Sequence, residues 1–563
     1  MSSRPTILPL DRSIAVWALA ALGLVVMMAL PLGWLGWISV SGERGPTLSN
    51  YLRVFTDAPL RKALWNTVIL SVWVGVASLA VGAPLAWLTS RTDLPGKRLI
   101  RLSVLASFVT PPFLGAFAWV MLAGPNAGLL NPLYRSLSGA ATPLFNIFSM
   151  TGLVFVIAIY TFPYVYILIS NTLETIASDL EDAAAVLGAG RFTVARVVTL
   201  PLAAPAILSG FILAVLQALA LFGSPAILAL PAGFHTITTR IWALFQYPPK
   251  VELAAAFSIP LLAATVVLLH LQKRLLGRRG YASIGGGKGS GRRVVPLGAW
   301  RYPALVGVGL VMACSIVLPY GALAKAAFAR AWAQPLTWDN FTLANFAFTF
   351  FEYSATKAAI MNTLELGVVT ASVGAVLAAV LAYVTTRRLV PGHQALGLLA
   401  VAPVVVPGVV LAVGLFVAYT RPPFVLYGTL AILFVAYLTK EMPVGYAQCD
   451  TTFKTIHPEL EDAARILGAG RMRVLGLITA PLARSGIIAT WCFVFIGVLR
   501  ELSASILLFT PNTKVISVVI FDLKEEGQFG PIAVLGCFML GVTFLTVTLM
   551  QTVLGRDVLG ARG

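Results

Sequence analysis

A polar stretch that occurs twice constrains this chain more than any other feature. Asp179 to Leu202 reads DLEDAAAVLGAGRFTVARVVTLPL, and Glu459 to Leu482 reads ELEDAARILGAGRMRVLGLITAPL, 280 residues further on. Glu181, Asp182, Ala183 and Ala184 return as Glu461, Asp462, Ala463 and Ala464. Gly188 returns as Gly468, and Pro201 as Pro481. Strongly apolar sequence flanks both stretches. The chain therefore reads as two copies of one membrane unit, each with the same short polar module.

Composition supports a membrane protein. Of 563 residues, 58% are hydrophobic and 11% charged, with a mean hydropathy of +0.88. A soluble domain carries about a quarter of its residues as charges. A spanning helix needs ~20 mostly apolar residues, which leaves room for roughly twelve spans. No polar stretch is long enough for a soluble catalytic domain. The net charge of +18 lies in loops between apolar runs, where it reports membrane orientation and not a nucleic-acid partner. Cys314, Cys449, Cys492 and Cys537 form no CxxC pair, and His235, His270, His393 and His457 are scattered. No metal site is expected.

The apolar runs predict spans at 14–38, 66–90, 99–123, 146–172, 204–230 and 253–271, then at 302–324, 360–386, 396–419, 424–448, 485–509 and 530–554. Pro111-Pro112 predicts a kink or break in the third. A first unit, 1–272, is thus followed by a Gly-rich basic linker, 273–301, and a second unit, 302–563. Asn66-Thr67 is echoed by Asn362-Thr363 at an offset of 296, and Pro111 by Pro407 at the same offset. The drop to 280 by Pro163 and Pro443 puts a longer loop between the third and fourth spans of the first copy. With both termini in the cytoplasm, the basic clusters at 91–101, 273–301, 387–388 and 454–484 fall inside, as the positive-inside rule requires. Both polar modules, 179–202 and 459–482, then face the cytoplasm.

Acidic residues at the start of each module complement the dipole of a short helix. The alanines favour that helix and let another surface come close. Gly188 and Gly190, or Gly468 and Gly470, end it. Pro201 and Pro481 suit the first turn of the next span. Such a short cytoplasmic helix can act as a peg for a partner's groove. The alternative is a linking turn kept from a gene duplication. However, the modules match more densely than most of the spans around them.

The pattern (Glu/Asp)-Ala-Ala-x3-Gly-x9-Ile-x-Leu-Pro resembles the EAA loop of membrane permeases of binding-protein-dependent ABC importers. It falls on Asp182, Ala183, Ala184, Gly188, Val198, Leu200 and Pro201, and on Asp462, Ala463, Ala464, Gly468, Ile478, Ala480 and Pro481. Asp replaces Glu in both copies, Val replaces Ile at 198, and Ala replaces Leu at 480. The resemblance implies an all-α membrane protein with the type I ABC importer permease fold and about twelve transmembrane helices in two tandem six-helix units. It also implies a bacterial inner-membrane location and two coupling loops, including Glu181 and Glu461, that dock on an ABC ATPase homodimer. A periplasmic or lipid-anchored binding protein would deliver substrate. With no GxxxxGK[ST] loop in this chain, ATP and Mg would be bound by the partner ATPase, and this chain would be neither enzyme nor cofactor carrier.

Ionisable residues within spans point to a path: Lys440 and Glu441, then Arg500 and Glu501. Arg500 to Leu508, RELSASILL, is similar to a segment of iron(III)-type fused permeases. Leu221 to Leu228, LFGSPAIL, is similar to the matching first-copy segment, with Leu221 where Asp is expected. This implies a path along Phe222, Ser224, Arg500, Glu501, Ser503 and Ser505, and iron(III) as substrate. A structural ion pair at Arg500 and Glu501 is the alternative. Thiamine, polyamine, phosphonate and sugar phosphate remain open as substrates. Two other classes stay open as well, an ion-coupled secondary transporter and, more distantly, a membrane-embedded enzyme.

Overall fold

The computed structural model describes residues 12–42, 45–140, 142–176, 178–277, 294–390, 392–422 and 424–554. Most of the linker (278–293) and both chain ends, with their cytoplasmic placement, lie outside the described residues. Among the described residues, ten helices are long and apolar enough to cross a membrane, or up to twelve if each of two bent pairs counts as one span. The bent pairs are the two third spans. Lys97–Val109 meets Pro112–Ala123 at 101°, and His393–Val405 meets Gly408–Tyr419 at 107°. Pro111 and Pro407 stand at the corners, where proline removes a backbone donor and excludes the helical turn before it.

The fifth and eleventh spans depart from expectation. The apolar runs predict 204–230 and 485–509, but the helices are Leu200–Ala220 and Ala480–Leu499, each followed by a break. Short helices Gly223–Leu228 and Ser505–Leu508 come next. Hydropathy does not register the first break, where Leu221 and Phe222 are as apolar as the flanking helices; in the second, Arg500, Glu501 and Ser503 are polar, but the apolar sequence on both sides reads as one span. The tenth span also starts later than expected, at Leu430, after Gly428 at φ 89°.

The Asn-Thr echo now has a physical cause. The Asn66 side chain donates to the His235 carbonyl (3.0 Å), and Thr67 Oγ1 accepts from the Ile237 amide (2.8 Å). In the second copy Asn362 donates to the Lys514 carbonyl (2.9 Å), and Thr363 Oγ1 accepts from the Ile516 amide (2.9 Å). Each pair pins the start of the helix beyond the broken span. It satisfies a helix-end amide that would otherwise be buried unpaired.

The chain packs as two compact units that do not follow the tandem repeats. One holds Pro46–Tyr353 with Asp522–Gly541, and the other holds Ser354–Phe521 with the first helix, Arg12–Ser39. In the second of these, Tyr419 Oη donates to the Val26 carbonyl (3.3 Å), and Gly414 leaves room for the Pro31 backbone. In the first, Thr110 Oγ1 and Tyr320 Oη are hydrogen-bonded at 2.6 Å. Each repeat's first span therefore packs on the bent third span of the other repeat. The two cores use equivalent positions: Leu85, Ala86, Tyr166, Leu173 and Ala203 in one, and Leu381, Ala382, Tyr446, Phe453 and Ala483 in the other. Small residues let backbones approach, as membrane packing requires. A Cβ at Gly82 would lie 2.9 Å from the Phe162 carbonyl oxygen.

The far end of the linker is anchored. Val295 pairs with the turn after Arg91, its amide donating to the Arg91 carbonyl at 2.8 Å. Asp93 accepts from the Leu297 amide (2.9 Å) and from Arg301 (2.7 Å). The Leu297 amide, and then Arg301, hold the Asp93 carboxyl below its ordinary pKa. A carboxylate depressed in the folded state stabilises at neutral pH and loses that contribution only as pH falls through its lowered pKa. Tryptic cleavage after Arg301, normalised at each pH to cleavage of an unstructured peptide by the same protease, is therefore expected to be unchanged between pH about 7 and about 6. Asp93→Asn should accelerate it at both.

Candidate functional site

Both polar modules fold through the same turns. Ser178–Val186 and Glu459–Ile466 are short helices with acidic first turns. Gly188 and Gly468 both take φ 85°. The next amide reaches back five residues, Ala189 to the Ala184 carbonyl (3.0 Å) and Ala469 to the Ala464 carbonyl (3.1 Å). This is the left-handed glycine stop of a helix C-terminus, which satisfies carbonyls the helix leaves open. One turn later the backbone widens into a π-helical segment, Ala195–Thr199 or Leu475–Thr479. The fifth or eleventh span then begins with Pro201 or Pro481 in its first turn.

The module side chains separate into an inner and an outer set. Asp182, Ala183, Asp462 and Ala463 are exposed, and Ala184 and Ala464 are half-buried. Val186 and Leu187 are each 87% exposed, Ile466 86% and Leu467 89%. Sequence reasoning placed the docking chemistry on the acidic and alanine positions and passed over this apolar tip. The signal for it was the identity of Leu187 and Leu467 directly before the glycine.

Glu181 and Glu461, assigned from sequence to the docking face, point inward and are buried. Glu181 accepts from Thr199 Oγ1 (2.7 Å) and pairs with Arg91 Nη1 (3.4 Å). Arg91 Nη2 also donates to the Ile176 carbonyl (3.1 Å). In the second copy Glu461 accepts from Thr479 Oγ1 (3.1 Å), from Arg387 Nε (2.9 Å) and from Tyr383 Oη (3.2 Å). Arg387 Nη2 donates to the Ile456 carbonyl (3.0 Å). Sequence reasoning had counted Arg91 and Arg387 only as cytoplasmic charge.

The candidate path residues lie at the breaks after the fifth and eleventh spans. Phe222 and Ser224 are fully buried, and Ser224 Oγ donates to the Pro112 carbonyl (2.9 Å). In the other unit, Glu501 forms an ion pair with Lys440, and its Oε1 accepts from the Ala504 amide (2.8 Å). The Glu501 carbonyl takes the Ser505 and Ser517 hydroxyls (3.1 and 2.7 Å). Ser505 Oγ is also 2.7 Å from Tyr437 Oη. Ser503 is buried, and its Cβ stands 3.0 Å from the place a Cβ on Gly408 would take. A side chain at 408 would also meet Glu501 and Lys440 at 3.3 Å. Arg500 is half-buried at the end of its helix.

This cluster has no counterpart in the first copy. At the 280 offset, Lys440, Glu441, Arg500 and Glu501 correspond to Tyr160, Thr161, Ala220 and Leu221. A Cβ on Gly115 would overlap the Tyr160 ring, so the uncharged version is packed by an aromatic instead of an ion pair.

The profile of the family described as "Binding-protein-dependent transport system inner membrane component" matches residues 78–280 and 373–559. The chain is 22% identical over 509 residues to the ferric transport system permease protein FbpB of Actinobacillus pleuropneumoniae, covering 90% of this chain and 73% of that protein. It is 30% identical over 217 residues to the molybdenum transport system permease protein ModB of Escherichia coli, covering 38% of this chain and 93% of that one. A bacterial ABC transporter involved in import of the acidic polysaccharide alginate is similar at TM-score 0.40 and 18% identity, over 47% of this chain and 96% of that chain.

Proposed function

Because this chain belongs to the family of binding-protein-dependent transport system inner membrane components, we propose that it is a fused ABC importer permease for iron(III). The family membership makes it a permease of a binding-protein-dependent system. One observation supports the substrate: the likeness to a ferric permease runs through both repeats and 90% of this chain. An extracytoplasmic binding protein delivers the iron, and the two repeats carry it into the cytoplasm.

In this reading an ABC ATPase homodimer, which binds the ATP and Mg, sits beneath the two modules. Each ATPase subunit takes one apolar tip, Val186-Leu187 or Ile466-Leu467. A pair of large aliphatic side chains almost fully exposed beside a rigid glycine stop suits a hydrophobic groove. Because one chain carries both pegs, it stands in for a pair of separate permease subunits.

Uptake of radiolabelled ferric iron by proteoliposomes holding this chain, its ATPase and its binding protein tests the substrate. ATP-dependent uptake of ferric iron is expected. Uptake of molybdate, thiamine, polyamine, phosphonate or sugar phosphate in place of iron would overturn the assignment. Docking has its own test. Leu187→Glu with Leu467→Glu should cut ATPase co-purification by about tenfold or more, the scale of losing interface anchors, with membrane insertion unchanged. Normal co-purification would place the partner elsewhere.

A further inference from the structure

Four equivalent groups meet at the root of each module: Arg91, Ile176, Glu181 and Thr199 in one copy, and Arg387, Ile456, Glu461 and Thr479 in the other. Arg91 is the last residue of the helix Ala58–Arg91, and Arg387 directly follows Ser354–Thr386. Each guanidinium reaches a carbonyl in the segment entering the module and the carboxylate inside it. That carboxylate also holds a threonine hydroxyl at the module's exit. The arginine and glutamate side chains are each about nine-tenths buried or more, with relative exposures of 4% and 6% in one pair and 10% and 9% in the other.

We propose that Arg91 and Arg387 are positioning residues that fasten each coupling helix to its spans. The module then moves as one body with the cytoplasmic ends of the second, fourth and fifth spans of its repeat. Three observations carry this. A buried arginine and glutamate are stable only when paired and hydrogen-bonded, and here both conditions hold. The planar guanidinium supplies several donors in a fixed fork, so one side chain ties entry segment and helix together. The arrangement also recurs with every member equivalent although the arginine sits at the 296 offset and the others at 280. A fastening of this kind converts displacement of the apolar tip into displacement of three helices. Without it the short helix can tilt about Gly188 or Gly468 while the spans stay still.

The inference rests on the reading of the modules as ATPase docking elements, so the test separates the two. Arg91→Met with Arg387→Met is compared with wild type in the complete transporter in proteoliposomes. ATPase retained per chain and substrate imported per ATP hydrolysed are both measured. The expected result is normal ATPase retention with uptake per ATP reduced about tenfold, the scale of breaking coupled buried pairs. Arg91→Lys with Arg387→Lys keeps the charge but loses the fork, and should fall between. Glu181→Gln with Glu461→Gln leaves the arginine fork on the Ile176 and Ile456 carbonyls but removes the charge that holds it to the module, and should also lower uptake per ATP with the ATPase retained. It decides the case if the methionine variant fails to insert. Unchanged uptake per ATP in either variant, once inserted, would overturn the proposal. So would loss of the ATPase from the methionine variant, which would make the cluster part of the docking surface. Failure of wild type to retain an ATPase would instead refute the docking reading itself.

Discussion

Replacing Gly188 and Gly468 together with proline is expected to abolish uptake while leaving the chain in the membrane. Both glycines sit at φ 85°, and the proline ring fixes φ near −65°. Both amides also donate across the turn, to the Ala185 carbonyl at 2.9 Å and to the Arg465 carbonyl at 3.0 Å. Proline removes those donors. The helix stop cannot form, and the apolar tip loses its direction relative to the buried Glu181 or Glu461. Alanine at the same positions meets no neighbouring atom. It bears only the left-handed strain of roughly 1–2 kcal/mol per site, so the alanine pair should retain partial uptake. The spans lie on either side of the modules, and insertion should be unaffected. Uptake by reconstituted vesicles, set against ATP hydrolysis in the same vesicles, reads the effect. Continued hydrolysis with no uptake is the expected pattern for the proline pair, and wild-type uptake would refute the coupling role.

These glycines mark what the sequence makes legible. A repeat at one offset, a glycine after an acidic-alanine helix and a proline two turns beyond are local features, and local features survive into the structure. The break at Pro111 was equally visible, because proline limits the backbone whatever surrounds it; Pro407 was legible as its echo. The Asn-Thr echo showed that something was shared without showing what, since its partners lie more than 150 residues away. Arg91 and Arg387 were visible only as charges near a membrane surface. Their meaning depends on a glutamate 90 or 74 residues further along the chain, and no local pattern announces that pairing. The exchange of first spans was hidden for a different reason. An apolar helix such as Arg12–Ser39 carries the same composition whichever repeat it packs against. Phe222 lies in a break that hydropathy reads as continuous helix, because its neighbours are just as apolar, whereas Arg500, Glu501 and Ser503 stand out as polar residues within a span without announcing a break.

The unequal charge of the two repeats leads to the second large effect. Lys440 and Glu501 pair inside one unit, while Tyr160 and Leu221 fill the same positions in the other. A fold that fills these positions with an uncharged tyrosine and leucine has no structural need for an ion pair, which must offset the desolvation of its charges. Removing one partner leaves the other buried and uncompensated. Lys440→Met is therefore expected to cost about 3 kcal/mol and to lower the melting temperature of the purified chain. Glu501→Gln should also impair uptake, because it strips the partner from Lys440 and the carboxylate that accepts the Ala504 amide. The decisive variant restores the balance. Lys440→Tyr with Glu501→Leu copies the first repeat and should recover much of the lost stability. If the pair faces the path, this variant will assemble and still import at least about tenfold more slowly, because a charged step on the route is gone. Recovery of uptake along with stability would make the pair a structural fastening. Glu501 carries the stronger expectation. It is the buried member, it holds the turn that begins the short helix Ser505–Leu508, and its position in the first repeat has no carboxylate to substitute for it.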